Sequence, residues 1–354
     1  MVEKRVRHRA LRFAAALVGL LAAVALGGGA RAEEVSFEGK RVILVISAAP
    51  GGGSDGTARI VGRYISRYMP GTPNIIFQNS PGAGGISALN SFVLRTERDG
   101  LTFYLGAGNQ VTPVTLRRTD VVKYDPSKLP MIGAFANDSS YLIARKDAVD
   151  RLTKKDGQPV MVGELDGSRS SAQMAVWGAE AFQWHVKWVL GYGGTPAMIQ
   201  AVERGEVDMI ANNSRVDVLV GTGKVDLLAQ TGQLVNGKVT ASKSFPNVPI
   251  FASQVEGRLQ GLPLRAFQSW QRQAQIGKWF ALPPGTPAPF VKAYRDAFVA
   301  MLKDPEFHSV FVKTESADYQ PMSVRDIEGL MAEMVNTPDD VLDYLVSLRK
   351  KYGM

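Results

Sequence analysis

Short unbroken apolar runs alternate along this chain with stretches whose apolar positions return every three or four residues. Val42-Ile43-Leu44-Val45-Ile46 is the first such run and reads as a strand. After Pro50-Gly51-Gly52-Gly53-Ser54-Asp55-Gly56, residues Ile60, Val61, Tyr64, Ile65, Tyr68 and Met69 fall on one helical face. Arg59, Arg63 and Arg67 line the opposite face, as a solvated helix surface does. Pro70-Gly71 ends that helix, and Ile75-Ile76-Phe77 predicts a second strand. Asn79-Ser80-Pro81-Gly82-Ala83-Gly84-Gly85 then leads into a helix carrying Ile86, Leu89 and Val93. Asp99-Gly100 marks a turn, and 101–105 a third strand ending in Gly106-Ala107-Gly108-Asn109.

Later helices announce their starts with a threonine or aspartate before proline: Thr195-Pro196, Thr286-Pro287, Asp304-Pro305 and Thr337-Pro338. The first of these closes at Gly205, and 207–211 predicts another strand. The helix after Thr286 buries Phe290, Val291, Tyr294 and Phe298. Between 232 and 278 the periodicity weakens, and no element is assigned there. Strand and helix alternate over most of the chain, which predicts an α/β protein with parallel sheet. Ligands on such sheets bind at the carboxyl ends of the strands, and in a two-domain protein of this class the cleft between domains is the place for them.

The two glycine loops occupy such strand ends. Strand, glycine turn and helix together point free backbone N–H groups at an anion, and two in succession set two positive helix ends along one sheet edge. Gly51, Gly53 and Gly56 also fit the dinucleotide pattern G-x-G-x-x-G. That pattern wants an acidic residue closing the second strand, where Gln78 and Asn79 stand, and neither loop is followed by a phosphate-binding lysine. Anion capture is the better reading. Asp55 fits it as a helix cap or as an acceptor for a ligand hydroxyl or protonated carboxyl. A third polar turn, Asp166-Gly167-Ser168-Arg169-Ser170-Ser171, follows the strand-like 160–162 and carries a cation.

The start of the chain reads as export machinery. Lys4, Arg5, Arg7, Arg9 and Arg12 precede an apolar stretch over 13–26, and Ala30-Arg31-Ala32 is a cleavage pattern, so Glu33 is expected to begin the mature chain. Six of the 41 basic and one of the 33 acidic residues lie in this segment, leaving 35 against 32. So mild an excess gives no reason to expect a nucleic acid partner. The chain has no cysteine, which excludes thiol catalysis and thiolate metal sites. His185 and His308 are isolated and read as packing residues, so neither a zinc cluster nor a cofactor is expected. Ser54 is flanked by Gly52 and Gly56 as in the G-x-S-x-G pattern, but the chain offers no histidine suited to activate it. An exported hydrolase acting on a small ester or amide, using Ser54 or Ser170 with Asp55, is the contrasting reading, and it lacks a suitable histidine; a sensory protein that presents ligand to a membrane receptor is the other. Trp177, Trp184 and Phe135 are read as core rather than ring-binding residues.

In their order, these motifs resemble the periplasmic solute-binding receptors of tripartite tricarboxylate transporters, the Bug receptors. The likeness rests on the two glycine loops with Ala58-Arg59, then Asp99-Gly100-Leu101-Thr102, Gly191-Tyr192-Gly193-Gly194-Thr195 and Arg204-Gly205-Glu206-Val207-Asp208. Ala281-Leu282-Pro283-Pro284-Gly285-Thr286-Pro287 and Lys303-Asp304-Pro305-Glu306 continue it. The chain departs from the family at Ser80, where arginine is frequent, and the usual segment before the closing lobe is longer and more basic. The resemblance implies a two-lobed, type II Venus-flytrap protein with a mixed, mainly parallel sheet in each lobe. Lobe 1 would comprise 33–137 and 251–354, and lobe 2 would comprise 138–250. It implies a ligand carboxylate held by Gly51, Gly52, Gly53, Ser54, Asp55, Gly82, Ala83 and Gly84, joined by Asn109. From the other lobe it implies Ser168, Arg169, Ser170 and Asn213. It further implies a monomeric, non-enzymatic periplasmic receptor that hands a small organic acid to membrane permease subunits.

Overall fold

Three of the predicted strands lie side by side, because each is short, apolar and closed by a turn. The computed structural model describes residues 35–165, 167, 169–213, 215–235 and 238–353; the export segment expected over 1–32 lies outside them. Strand β1 (Arg41–Ile46) pairs in parallel with β2 (Asn74–Asn79) on one side and β3 (Thr102–Ala107) on the other. The first sheet is completed by β4 (Met131–Ala136), by β12 (Ile276–Ala281) and by β13 (Pro321–Met322), in the order β13-β4-β12-β3-β1-β2.

The second sheet contains β5 (Tyr141–Arg145), β6 (Val160–Gly163), β7 (Val186–Val189), β8 (Met209–Asn212) and β9 (Val225–Gln230), in the order β7-β6-β8-β5-β9. A small hairpin joins β10 (Gln233–Val235) to β11 (Lys238–Thr240). Both sheets are mixed. Each is parallel in the half that strand–helix alternation describes and antiparallel around the strands that carry the chain between sheets, β5 and β12. The α/β class expected from the sequence is thus built as two mixed sheets with their helices.

Residues 137–140 connect the sheets outward, and the chain returns through helices Phe251–Val255 and Gly261–Gln273 into β12. These lie in the stretch without readable periodicity. The second helix buries Ser269 and Gln273 beside Ala266, Phe267 and Trp270, so polar residues occupy part of its inner face. Residues 251–354, expected as one return segment of the first lobe, divide their packing. Phe251, Phe267 and Trp270 join one core cluster with Leu142, Val162 and Trp177 of the second lobe, together with Val341, Leu345 and Leu348 from the last helix. Met322, Ile327 and Met331 instead pack with Tyr104 and Trp279 on the first sheet. Trp177 and Phe135 are core residues, 0% and 3% exposed.

Of the expected threonine and aspartate caps, Asp304 acts through its side chain, accepting from the N–H groups of Glu306 and Phe307. Among the described residues no helix is long and apolar enough to cross a membrane.

Candidate functional site

The order β3-β1-β2 sets three carboxyl-terminal loops next to one another. In the first loop, Gly51 has φ +80°, and its N–H donates to Asp55 Oδ2 at 2.9 Å. The helix Gly53–Ile65 follows, with Gly52 at its N-cap offering no side chain, so the first-turn N–H groups have no intrahelical acceptor. Asp55 itself is 4% exposed. Besides Gly51, its carboxylate accepts from Arg59 Nε at 2.9 Å and from Asn79 Nδ2 at 3.0 Å. The Arg59 bond, followed by the Gly51 and Asn79 bonds, outweighs the opposing effect of burial and holds the Asp55 carboxyl down at about 2. Asp55 thus ties the first loop to the end of β2, and Arg59 leaves the row of purely solvated arginines. A carboxylate committed to three donors is a poor base for Ser54.

The sign of that shift predicts an acid limb. Because the folded-state value lies below the ordinary 3.8, the stabilisation is complete above the ordinary value and is lost as pH falls towards about 2. Asp55→Asn is expected to lower unfolding free energy by about 1–2 kcal/mol at neutral pH. Urea melts at a series of pH values should show its stability converging with that of the parent protein at the acid end. A gap independent of pH would refute the assignment.

The second loop runs through positive φ at four consecutive residues: Gly82, Ala83, Gly84 and Gly85. Ala83 is the strained member, since alanine at φ +47° has no compensating side-chain bond. The N–H groups of Ala83 and Gly84 have no acceptor among the described residues, whereas that of Gly85 donates to the Gly82 carbonyl at 2.8 Å. A buried polar network holds this loop from beneath. Gln110 Nε2 donates to Tyr104 Oη at 2.8 Å, Tyr104 Oη donates to the Gly85 carbonyl at 3.3 Å, and Tyr124 Oη donates to the Gln110 carbonyl at 2.6 Å. Asn109 Nδ2 donates to the Gly84 carbonyl at 2.9 Å, which joins the third loop to the second. Burial pushes the Tyr104 and Tyr124 hydroxyls well above their ordinary range, so both stay neutral donors.

The other lobe presents a different chemistry from the one its sequence predicts. Arg169 forms a two-pronged ion pair with Glu164, Nε to Oε1 at 2.8 Å and Nη2 to Oε2 at 2.6 Å, and donates to the Ala211 carbonyl at 3.0 Å. Glu164 is 0% exposed. The expected free cation is therefore largely spent on a buried anion. The Ser170 carbonyl accepts from Trp270 Nε1 at 3.0 Å, which anchors the turn to the core. Ser168, the remaining residue expected here, lies outside the described residues.

Asn109, Arg169, Ser170 and Asn213 all line one pocket of about 250 Å³, so four of the expected residues meet across the two lobes. Neither glycine loop lines this pocket; the second reaches its edge through the Gly84–Asn109 bond. Sequence reading missed Asn137, Ser140, Gln273 and Lys278, which also line the pocket. Only Lys278 carried a signal: a charge within the apolar run Ile276-Gly277-Lys278-Trp279-Phe280-Ala281. A larger hollow of about 430 Å³, flanked by Ile43, Gln78 and Ser91, is lined from the first lobe alone. His185 bonds the Lys154 carbonyl and His308 bonds Tyr319, away from the pocket lining. Among the described residues no group of His, Asp and Glu could hold a metal ion.

No protein-family profile matches the chain, and no curated protein matches it significantly. Solved structures do. A TctC solute-binding protein from Polaromonas superimposes with a TM-score of 0.64 at 19% identity, over 88% of this chain and 98% of that one. MatC from Rhodopseudomonas palustris, solved with bound malate, gives 0.58 at 20% identity over 85% and 99%. An R. palustris protein solved with adipate gives 0.61 at 19% identity over 88% and 97%. At these identities the likeness is one of fold.

Proposed function

We propose that this chain is a periplasmic solute-binding receptor that captures a small organic carboxylate between its lobes and delivers it to a tripartite tricarboxylate-type permease. The observation that carries the reading is the pocket of about 250 Å³, where polar side chains from both lobes converge and Asn109 bonds the second glycine loop. A desolvated carboxylate must recover its hydration, and a set of aligned neutral donors supplies that. The unpaired N–H groups of Ala83 and Gly84, the first turn of Gly53–Ile65, and the side chains of Asn109, Ser170 and Asn213 are such donors. Asp55 and Arg169 hold the loops in place rather than touch ligand.

The malate and adipate in two structural neighbours are consistent with this ligand class. In this reading lobe 1 comprises the first sheet with its helices and lobe 2 the second sheet. Closure of the two over ligand strengthens each bond by excluding water and makes the surface the permease recognises. The chain acts as a monomer and catalyses no reaction.

Thermal-shift measurements on residues 33–354 with small carboxylates and their amides test the proposal. A ligand at 100 times its Kd adds about 2.7 kcal/mol to stability. Stabilisation by acids and not by their neutral amides is the expected result. No response to any acid, after co-purified ligand has been removed by unfolding and refolding, would overturn the carboxylate assignment.

A further inference from the structure

The pocket holds a second cation besides Arg169, and the two differ in what surrounds them. Arg169 is matched by Glu164 at contact distance. Lys278 stands on β12, paired in register with Ala107 of β3 and Phe135 of β4, and lines the pocket beside Asn109, Asn137 and Ser170. Two glycines permit this placement. A Cβ on Gly108 would lie 2.1 Å from the Ile276 carbonyl oxygen, and one on Gly277 would lie 2.6 Å from that of Phe135. The third loop is thereby drawn against the strand that carries Lys278.

No carboxylate among the described residues lies within ion-pair distance of the Lys278 ammonium. The charged groups around it are Asp138 in the segment joining the lobes, Glu315 beyond the helix Pro305–Thr314, and the Arg169–Glu164 pair across the pocket. Glu315 is turned to the first-loop helix, where Thr57 Oγ1 donates to it at 2.6 Å, and Asp318 adds negative charge near Asp138. A second group in the same wall is also unsatisfied. Gln273 is 4% exposed, and its Oε1 has no hydrogen-bond partner. A pocket wall bearing an ammonium without a contacting anion, beside a buried amide oxygen without a donor, is built for a ligand that supplies both.

We propose that Lys278 is the charge-recognising residue of this receptor, donating directly to the ligand carboxylate while Gln273 bonds a neighbouring polar group of the same ligand. The inference rests on the receptor reading and deepens it. Burial pushes the Lys278 ammonium below the ordinary lysine range, Glu315 and Asp138 opposing that shift. Burial also raises Asp138 to about 6. A docked carboxylate favours the charged lysine, so capture takes up a proton wherever Lys278 is partly deprotonated. Neutralising Asp138 removes a competing negative charge. Both effects make binding tighter as pH falls, down to the pKa of the ligand itself.

Isothermal titration with malate, adipate and the neutral adipamide, on the parent protein, Lys278→Met and Lys278→Gln, separates the possibilities. A charge-assisted bond lost from a desolvated site is expected to weaken acid binding about ten-fold or more. Parent affinity should fall as pH rises from neutrality into the alkaline range in which Lys278 gives up its proton, with proton uptake visible as a dependence of heat on buffer ionisation, and both variants should keep only the contribution of Asp138 near about 6. Melting curves without ligand control for folding. If the parent binds an acid and a folded variant binds it within about two-fold, Lys278 is not the recognising charge and the receptor reading stands. If neither variant folds, a parent affinity independent of pH over that range overturns the inference. If the parent binds none of the acids, both readings fall.

Discussion

Gly85→Ala is expected to destabilise the protein by about 3 kcal/mol and to abolish measurable capture of a carboxylate. Two costs add at this position. Gly85 has φ +90°, a conformation that strains alanine, and it forms the N-cap of the helix Ile86–Arg95. A Cβ there would also lie 2.0 Å from Gln110 Nε2 and 3.0 Å from Ser47 Cβ. Gln110 has no room to yield: it is fully buried, and its amide is tied to Tyr104 Oη at 2.8 Å and to the Ala107 N–H at 2.9 Å. Moving it breaks the network that holds the second glycine loop open to a ligand. Gly51→Ala is the control, because φ is +80° there and nothing lies within 4 Å of the added carbon. It should cost about 1 kcal/mol through backbone strain alone. Urea unfolding of both variants checks the difference, and equal losses would show that Gln110 plays no part.

Arg169→Met is expected to cost about 3–5 kcal/mol without any ligand present. The reason is Glu164, whose side chain is 1% exposed and whose charge is answered by Arg169 through two bonds. Removing the arginine leaves a buried carboxylate with its main partner gone. The double variant Glu164→Gln with Arg169→Met should recover much of the loss, giving a coupling energy that a cycle of unfolding measurements reads directly. Unchanged stability of Arg169→Met together with lost ligand affinity would return Arg169 to the role its sequence context predicts, that of a ligand contact.

These two residues also mark the limit of sequence reading. Both glycine loops were legible because glycine clusters between an apolar run and a helical period have few structural meanings, and β1, β2 and β3 stand where the runs predict. Arg169 was legible as a cation at a polar turn, yet its partner Glu164 lies five residues away across that turn, and only the folded turn brings them to 2.6 Å. Gln110 gave no signal, since a single amide after a strand is ordinary. Helix Gly261–Gln273 escaped notice because its inner face spends two positions on Ser269 and Gln273, which dilutes the period.

The α/β class, the glycine turns at the strand ends and the absence of thiol chemistry were decided in the sequence, because these follow from local period, from glycine and from composition. Tertiary structure alone decided which cation is spent and which is available. Arg169 and Lys278 lie more than a hundred residues apart and are equally charged on paper. Burial of one carboxylate beside the first, and of none among the described residues in contact with the second, gives them opposite roles. Charge is a local property, but its neutralisation depends on which distant residues share the same low-dielectric space.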